Sequence, residues 1–305
     1  MKILHVVPGL EEGGNGIAVA ARLIAAEQGA DLIEARLFAG GDGELDVYGE
    51  VWVHSCWLPM TLKSCRRALR AGKPLVRMMH GNLDPVRLKY HGWMKRLVGP
   101  IERGCLRRCD RIVATCAAEK EWIEAYLGKK CPVVEVTDIK RFFDFSRVER
   151  VEHVEERGRV DRVDRVEKGE LHLLYLGRRH PLKGVEYLET AVKGIEGGEL
   201  RVVCNAFGDE KERVWDWCDV LVLPTLSDNF GLVVAEALER GKRVITTDGA
   251  PAWGKNLSRV EHVERVEGGL WSGYEGRLIY LKGYRDGTDE ERVELLKKAI
   301  ERICK

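Results

Sequence analysis

Residues Asp219 to Trp253 read DVLVLPTLSDNFGLVVAEALERGKRVITTDGAPAW, with Cys218 in front. Val220 to Leu223 is a short apolar run that ends at Pro224, the pattern of a strand buried on both faces. A polar turn follows, Thr225 to Asn229. From Gly231 to Arg240 apolar residues recur at helical spacing, at Leu232, Val233, Ala235, Ala237 and Leu238, and Gly241 stops the helix. Val244 to Thr247 is a second strand. Strand, loop, helix, strand is the repeating unit of a parallel sheet.

The loop carries chemistry. Asp228 lies in it, and Glu236, eight residues on, lies in the helix. Phe230 and Gly231 sit at the junction, where the first free N–H groups of a helix and its dipole favour an anion or sugar hydroxyls. A carboxylate on the first or second turn can accept two hydroxyls of a ribose. That arrangement suits a nucleotide sugar. An ordinary strand–helix unit with two solvated acids has the same outline.

SDNFGLVVAEAL followed by GKRVITTDGAPAW resembles the donor-site signature of the GT-B glycosyltransferases of family 4, a glutamate, seven residues, then a second glutamate. The resemblance implies that the first acid and the Phe-Gly-Leu backbone hold the donor sugar and phosphate, and that the second acid holds the ribose. Those positions are Asp228, Phe230, Gly231, Leu232 and Glu236 here. Asp228 departs from the pattern by one methylene, which bears on donor-sugar affinity or identity and leaves the charge unchanged.

A second motif lies about 50 residues earlier. Leu171 to Leu176 is an apolar strand, followed by GRRHPLKG, Gly177 to Gly184, and a helix from Val185 to Val192. Arg178 and Lys183 flank a turn that enters a helix, and two cations at such a place make a diphosphate site. The family resemblance assigns Arg178 and Lys183 to the donor's phosphates. Arg179 is a neighbour with no role.

Composition sets the bounds. The 305 residues suffice for two domains, and 45% apolar content can fill two cores. No apolar run reaches the ~18 residues of a membrane span, and Met1 to Val7 lacks a signal-peptide core, so a cytoplasmic chain is expected. Nine cysteines occur with no CxxC, and Cys105 and Cys109 have no histidine beside them. They read as reduced packing residues, not metal ligands.

The net charge of +1 hides an asymmetry: Lys63 to Arg111 holds 14 Lys and Arg against Asp84, Glu102 and Asp110. Within the helical stretch Tyr90 to Arg108 the basic residues alternate with Trp93, Met94, Leu97, Val98 and Ile101. An anionic membrane surface or an acidic lipid-linked acceptor would fit, and so would a solvated helix face. No motif for nucleic acid accompanies the charge.

At the N-terminus, Lys2 to Val7 is a strand, PGLEEGGNG (residues 8–16) a glycine-rich loop, and Ile17 to Gln28 a helix. The dinucleotide fingerprint GxGxxG is absent. Further strands are predicted at Asp31 to Phe38, Val51 to His54, Leu75 to His80, Arg111 to Thr115 and Val133 to Val136. Helices are predicted at Met60 to Ala71, within Tyr90 to Arg108, and at Ala117 to Leu127. The family's equivalent of the first loop, with paired glycines at Gly13 and Gly14, faces the cleft between two domains and contributes to donor binding. His80 ends a strand, where ligands of such sheets gather. MHGNLDP resembles the version in lipopolysaccharide and exopolysaccharide transferases, which implies a sugar contact for His80. A structural histidine is the competing reading.

Asp138 to Glu170 carries RVERVEHVEERGRVDRVDRVEKGE, and the theme returns as RVEHVERVE at Arg259 to Glu267. Valines at a period of three build neither a helical nor a strand face. Both copies read as solvated low-complexity insertions, with a β-hairpin turning near Arg157-Gly158 as the alternative. Between Glu199 and Cys218 there is room for one strand, Leu200 to Val203, and one helix, Asp209 to Asp216. A last strand, Arg277 to Leu281, and a helix, Glu290 to Ile303, close the chain.

The expected fold is therefore α/β and GT-B: two Rossmann-like doubly wound parallel-sheet domains facing a central cleft, the second one trimmed. The boundaries are residues 1–140, a linker at 141–170, and residues 171–305, with the final helix placed to pack back on the first domain. The resemblance implies a retaining transferase that takes a sugar from a nucleotide-diphosphate sugar to a glycan or lipid-linked acceptor in cell-envelope polysaccharide or lipopolysaccharide synthesis. No Asp-x-Asp occurs, so no metal is expected, and Arg178, Lys183 and helix amides stand in for one. No cofactor and no nucleic-acid partner are expected. An inactive donor-binding module and another GT-B or Rossmann-like enzyme, such as a sugar-nucleotide epimerase, are the alternatives.

Overall fold

The computed structural model describes residues 2–10, 16–39, 45–90, 92–144, 171–204, 206–254, 265–266, 270–273 and 277–304. Gly13, Gly14, the first valine-rich repeat and most of the second lie outside the described residues. The chain divides into two compact units, Met1–Phe142 and Phe143–Lys305.

The first unit runs β1 (Lys2–Val7), α1 (Gly16–Gln28), β2 (Asp31–Glu34), β3 (Tyr48–His54), α2 (Pro59–Arg70), β4 (Leu75–Met78), α3 (Pro85–Lys89), α4 (Gly92–Leu106), β5 (Arg111–Ala114), α5 (Ala117–Leu127) and β6 (Val133–Val136). Its six strands are all parallel, in the order β2-β1-β3-β4-β5-β6. The central strands are apolar because helices cover both faces of a parallel sheet, and all four residues of β4 are buried.

One predicted boundary moves and one short helix is added, each for a local reason. The strand expected through Phe38 stops at Glu34, where its neighbour β1 also ends, with Glu34 opposite Val7. Beyond that point no ladder partner remains, and Leu37–Ala39 winds into a 3-10 turn. The helix expected within Tyr90 to Arg108 is α4, and a short helix that was not expected, α3, precedes it. Pro85 starts α3, and the Asp84 side chain caps it by accepting from the Val86 N–H at 2.9 Å.

The buried face of α4 holds Gly99, Glu102, Cys105 and Leu106. Glu102 meets Arg77 of β4 at 2.9 Å, with both side chains fully buried, and Arg77 also donates to the Ser55 carbonyl at 2.6 Å. A buried ion pair is costly to break from one side, because the remaining charge is left uncompensated.

The second unit runs β7 (Leu171–Leu176), α6 (Val185–Val192), β8 (Gly198–Val203), α7 (Gly208–Trp217), β9 (Val220–Leu223), α8 (Leu232–Glu239), β10 (Arg243–Thr247), β11 (Arg265–Val266), β12 (Leu270–Gly273), β13 (Leu278–Leu281) and α9 (Asp289–Cys304). Strand order is β11-β12-β13-β10-β9-β7-β8. Strands β13, β10, β9, β7 and β8 are parallel, as expected. The β11–β12–β13 edge is antiparallel, which the sequence reading did not foresee. Arg265–Val266 of the second valine-rich repeat supplies β11, so that part of the repeat is strand where a solvated insertion was expected. Helix α9 packs against α6.

The turn after β7 is pressed against the loop after β9. Gly184, in the left-handed region at φ 65°, would place a Cβ 2.1 Å from the Pro224 carbonyl oxygen. Gly72, at a similar φ of 64°, has open space around the same position. The two glycines separate backbone strain from steric exclusion. Gly184→Ala is expected to destabilise the protein by at least about 2 kcal/mol more than Gly72→Ala, because only the former adds overpacking. Calorimetric melting of both variants measures the difference, and equal losses would contradict the close approach.

Candidate active site

Two βα turns of the second unit build one assembly. Strand β7 lies beside β9, so the loops at their carboxyl ends are neighbours. The Leu182 carbonyl, in the 3-10 turn Pro181–Lys183, accepts from the N–H of Leu226 at 2.9 Å, the N–H of Ser227 at 3.3 Å and the hydroxyl of Thr225 at 3.0 Å. The turn after β10 holds the same loop from its other side. The Asp228 N–H donates to the Gly249 carbonyl at 2.7 Å, and a Cβ on Gly249 would lie 2.0 Å from the Thr225 carbonyl oxygen. The loop Thr225 to Asn229 is thus fixed by its two flanking turns.

Its acid is fixed as well. Asp228 Oδ2 forms an ion pair with Lys183 Nζ, and Asp228 Oδ1 accepts from the Gly231 N–H at 3.1 Å. Gly231 caps α8 from the left-handed region at φ 65°, which turns the chain from loop to helix. Phe230 is buried against Trp253, with ring centroids 5.4 Å apart, and the Trp253 indole N–H donates to the Phe230 carbonyl. Leu232 is the first residue of α8. Arg178 and Arg179 separate cleanly. Arg179 is held by Glu189 of α6, whereas the exposed Arg178 guanidinium makes no hydrogen bond or ion pair among the described residues. The Tyr175 hydroxyl donates to the Arg178 carbonyl at 2.8 Å, and burial, then the Asp228 charge, raise its pKa.

Glu236 projects from α8 onto Lys211 of α7, at 2.6 Å. Sequence reasoning missed Lys211, because no pattern in a charged ten-residue helix singles out the one lysine that reaches an acid 25 positions later. Arg178, Lys183, Asp228, Phe230, Gly231, Leu232 and Glu236 therefore all lie at the carboxyl edge of one sheet. Among the described residues no three His, Cys, Asp or Glu side chains cluster as metal ligands.

His80 belongs to the first unit, two residues past the end of β4 and at φ 53°. It is the end of a file of histidines that the sequence reading did not recognise. His5 lies opposite Trp52 and His54 opposite Met78 in the ladders, so each histidine sits two residues past its neighbour's partner, on one face of the sheet. His5 Nδ1 meets His54 Nε2 at 2.9 Å, His54 Nδ1 meets His80 Nε2 at 2.8 Å, and His5 Nε2 meets Gln28 Oε1 at 2.8 Å. Adjacent rings stack with centroids 5.1 Å apart. Burial lowers the pKa of all three, that of His54 well below the usual value and that of His80 to about 3. A signal existed in the sequence: a histidine in or just after three separate apolar strand runs. Glu119 of α5 pins the adjoining loop, accepting from the Gly81 N–H at 2.5 Å and from the Thr115 N–H at 2.7 Å.

Comparison with known proteins follows the same division of the chain. Residues 51–136 match the family described as Glycosyltransferase Family 4, and residues 157–263 match Glycosyl transferases group 1. Together these matches cover more than half of the sequence. No curated protein matches it. Among solved structures, the Anabaena protein Alr3699/HepE in complex with UDP is similar at 15% identity and TM-score 0.62, over 99% of this chain and 90% of that one. Sucrose-phosphate synthase from Thermosynechococcus elongatus is similar at 14% identity and TM-score 0.64, over 99% and 90%. The UDP-forming α,α-trehalose-phosphate synthase from Burkholderia vietnamiensis is similar at 12% identity and TM-score 0.60, over 98% and 89%. At these identities the likeness is one of fold.

The histidine file makes an acid-stability prediction. Its rings are neutral when folded and take up protons when unfolded, so the unfolded state binds more protons below its pKa of about 6.5. Stability therefore falls as pH drops through that value, by up to about 1.4 kcal/mol per pH unit for each ring, and for His80 the fall continues to about 3. The thermal midpoint should drop steeply between about pH 6.5 and 5, and less steeply in His54→Asn. An unchanged slope in that variant would contradict a buried, neutral His54.

Proposed function

This chain belongs to the GT-B glycosyltransferases of family 4, and from that membership we propose that it moves a sugar, with retention of configuration and without a metal, from a nucleoside-diphosphate sugar to a hydroxyl of a glycan or lipid-linked acceptor. One observation carries the reading: Lys183 and Asp228, from two separate βα turns, meet in an ion pair at the carboxyl edge of one sheet. Breaking the bond from the anomeric carbon to the diphosphate leaves negative charge on the departing oxygen. Lys183, held in place by its ion pair before the reaction begins, and Arg178 supply positive charge there. The diphosphate takes the Lys183 ammonium and releases Asp228 to accept hydroxyls of the donor sugar. Glu236 accepts the ribose hydroxyls, sharing its carboxylate with Lys211. Phe230, Gly231 and Leu232 set the backbone against the donor, and the family resemblance assigns Gly13, Gly14 and His80 to donor binding as well. The acceptor hydroxyl attacks the anomeric carbon from the face the diphosphate leaves, and the departing phosphate oxygen takes its proton.

The Anabaena relative was solved with UDP, and with UDP and glucose, which makes UDP-glucose the first donor to assay. Arg178→Ala and Lys183→Ala are each expected to lower turnover at least ~100-fold, as loss of a positioned charge does. Near-normal turnover in both variants would remove the phosphate-clamp role.

We also propose that the acceptor is met at the cytoplasmic face of an anionic membrane, in the synthesis of cell-envelope polysaccharide or lipopolysaccharide. The outward side of α4 supports this. Trp93 is 69% exposed and Leu97 71%, with Met94 and Ile101 beside them, and Arg96, Arg107 and Arg108 are exposed nearby. Apolar side chains ringed by cations suit a lipid surface. Among the described residues no helix is long and apolar enough to cross a membrane. Binding to vesicles containing anionic phosphatidylglycerol, measured by flotation, should weaken at least ~10-fold in Leu97→Glu, since burying one such side chain contributes ~1.5–3 kcal/mol. Equal flotation of the variant and the parent protein would refute the membrane role.

A further inference from the structure

Three imidazoles in one hydrogen-bonded file, two of them fully buried, are more than packing requires, and the file has a direction. A neutral imidazole carries one N–H and one lone-pair nitrogen. His54 uses both of its nitrogens on its neighbours, so it donates to one and accepts from the other. His5 likewise uses both, on His54 and Gln28. The rings can therefore run head to tail in only two ways. With the Gln28 amide oxygen accepting from His5 Nε2–H, every ring carries its proton on Nε2, and His80 is left with a lone pair on Nδ1. With the Gln28 amide turned, every ring carries it on Nδ1, and His80 presents an N–H there. Among the described residues the His80 Nδ1 makes no hydrogen bond.

We propose that Gln28, acting through His5 and His54, sets which nitrogen of His80 carries the proton, and so whether His80 offers an acceptor or a donor to a substrate hydroxyl. The three residues are positioning residues for His80, and the proposal rests on the reading of His80 as a donor-sugar contact. The distance involved is two rings, and the signal needs no movement of the backbone. Gln28 is the last residue of α1 and only partly buried, so its side chain can be exchanged without opening a core. Loss of a correctly polarised hydrogen bond to substrate is worth ~1–1.5 kcal/mol, or about tenfold in rate.

The test compares two variants of the full chain. Gln28→Glu offers His5 only an acceptor, and Gln28→Lys offers only a donor, with Gln28→Arg as a second donor-only variant should the lysine disturb folding. Protein labelled with 15N in its histidine rings is examined by long-range 1H–15N correlation at about pH 7.5, where the three rings are neutral. The Gln28→Glu variant should show Nε2–H on all three rings, and the donor-only variant Nδ1–H on all three. The kcat with the sugar donor should be about tenfold lower in the donor-only variant than in Gln28→Glu, with the smaller change in KM. The same His80 tautomer in both variants overturns the proposal, and so does a swapped tautomer with equal kcat. His80→Ala tests the underlying reading separately: full turnover in that variant removes His80 from the donor site, whatever the tautomer measurement gives.

Discussion

The second unit depends on one backbone carbonyl. Leu182 C=O takes three donors from the loop after β9, and the space that lets it do so exists because Gly184 has no side chain facing Pro224. Three hydrogen bonds to one oxygen hold the two βα turns together. The Lys183–Asp228 pair follows from that contact. The contact brings together residues 45 positions apart in the chain. It also aligns the start of α8 with the turn that carries Arg178. Gly249 repeats the device on the opposite side, so the loop has no freedom to withdraw its carboxylate.

The charges of the site are already matched before any substrate arrives. Lys183 is satisfied by Asp228, and Glu236 by Lys211. All four side chains are partly shielded from water, where an unpaired charge is expensive. A diphosphate sugar carries its own anion and its own hydroxyls, and it can satisfy both halves of the first pair at once. Exchange of one set of partners for another costs far less than creating a charge site from nothing. Arg178 differs, because it is exposed and makes no hydrogen bond or ion pair among the described residues.

The first unit places polar groups where sequence composition suggests only core. Arg77 and Glu102 neutralise one another in full burial, and the histidine file crosses three strands without a charge. Around the ends of β3 and β4, Ser55, Trp57 and His80 all take positive φ. Non-glycine residues hold such angles only where their surroundings over-determine them. Here Glu119 fixes Gly81, Arg77 holds the Ser55 carbonyl, and His54 holds the His80 ring. The strained segment is therefore held by three side chains from outside it.

Much of this was legible without coordinates. Apolar runs of four to six residues marked β7, β9 and β10, glycines marked their turns, and two spaced motifs located Arg178, Lys183, Asp228 and Glu236. These signals are local: strand and helix periodicity, and the chemistry of a turn, act between residues a few positions apart. The antiparallel edge β11–β12, the early end of β2, the Lys211–Glu236 pair and the histidine file were not legible. Each depends on which strand lies beside which and in what register, and register arises from packing summed over the whole sheet. The sequence determined the elements and the candidate groups. Tertiary structure decided which groups touch, because hydrogen bonds and ion pairs form only within about 3 to 4 Å, and no spacing along a chain encodes that distance.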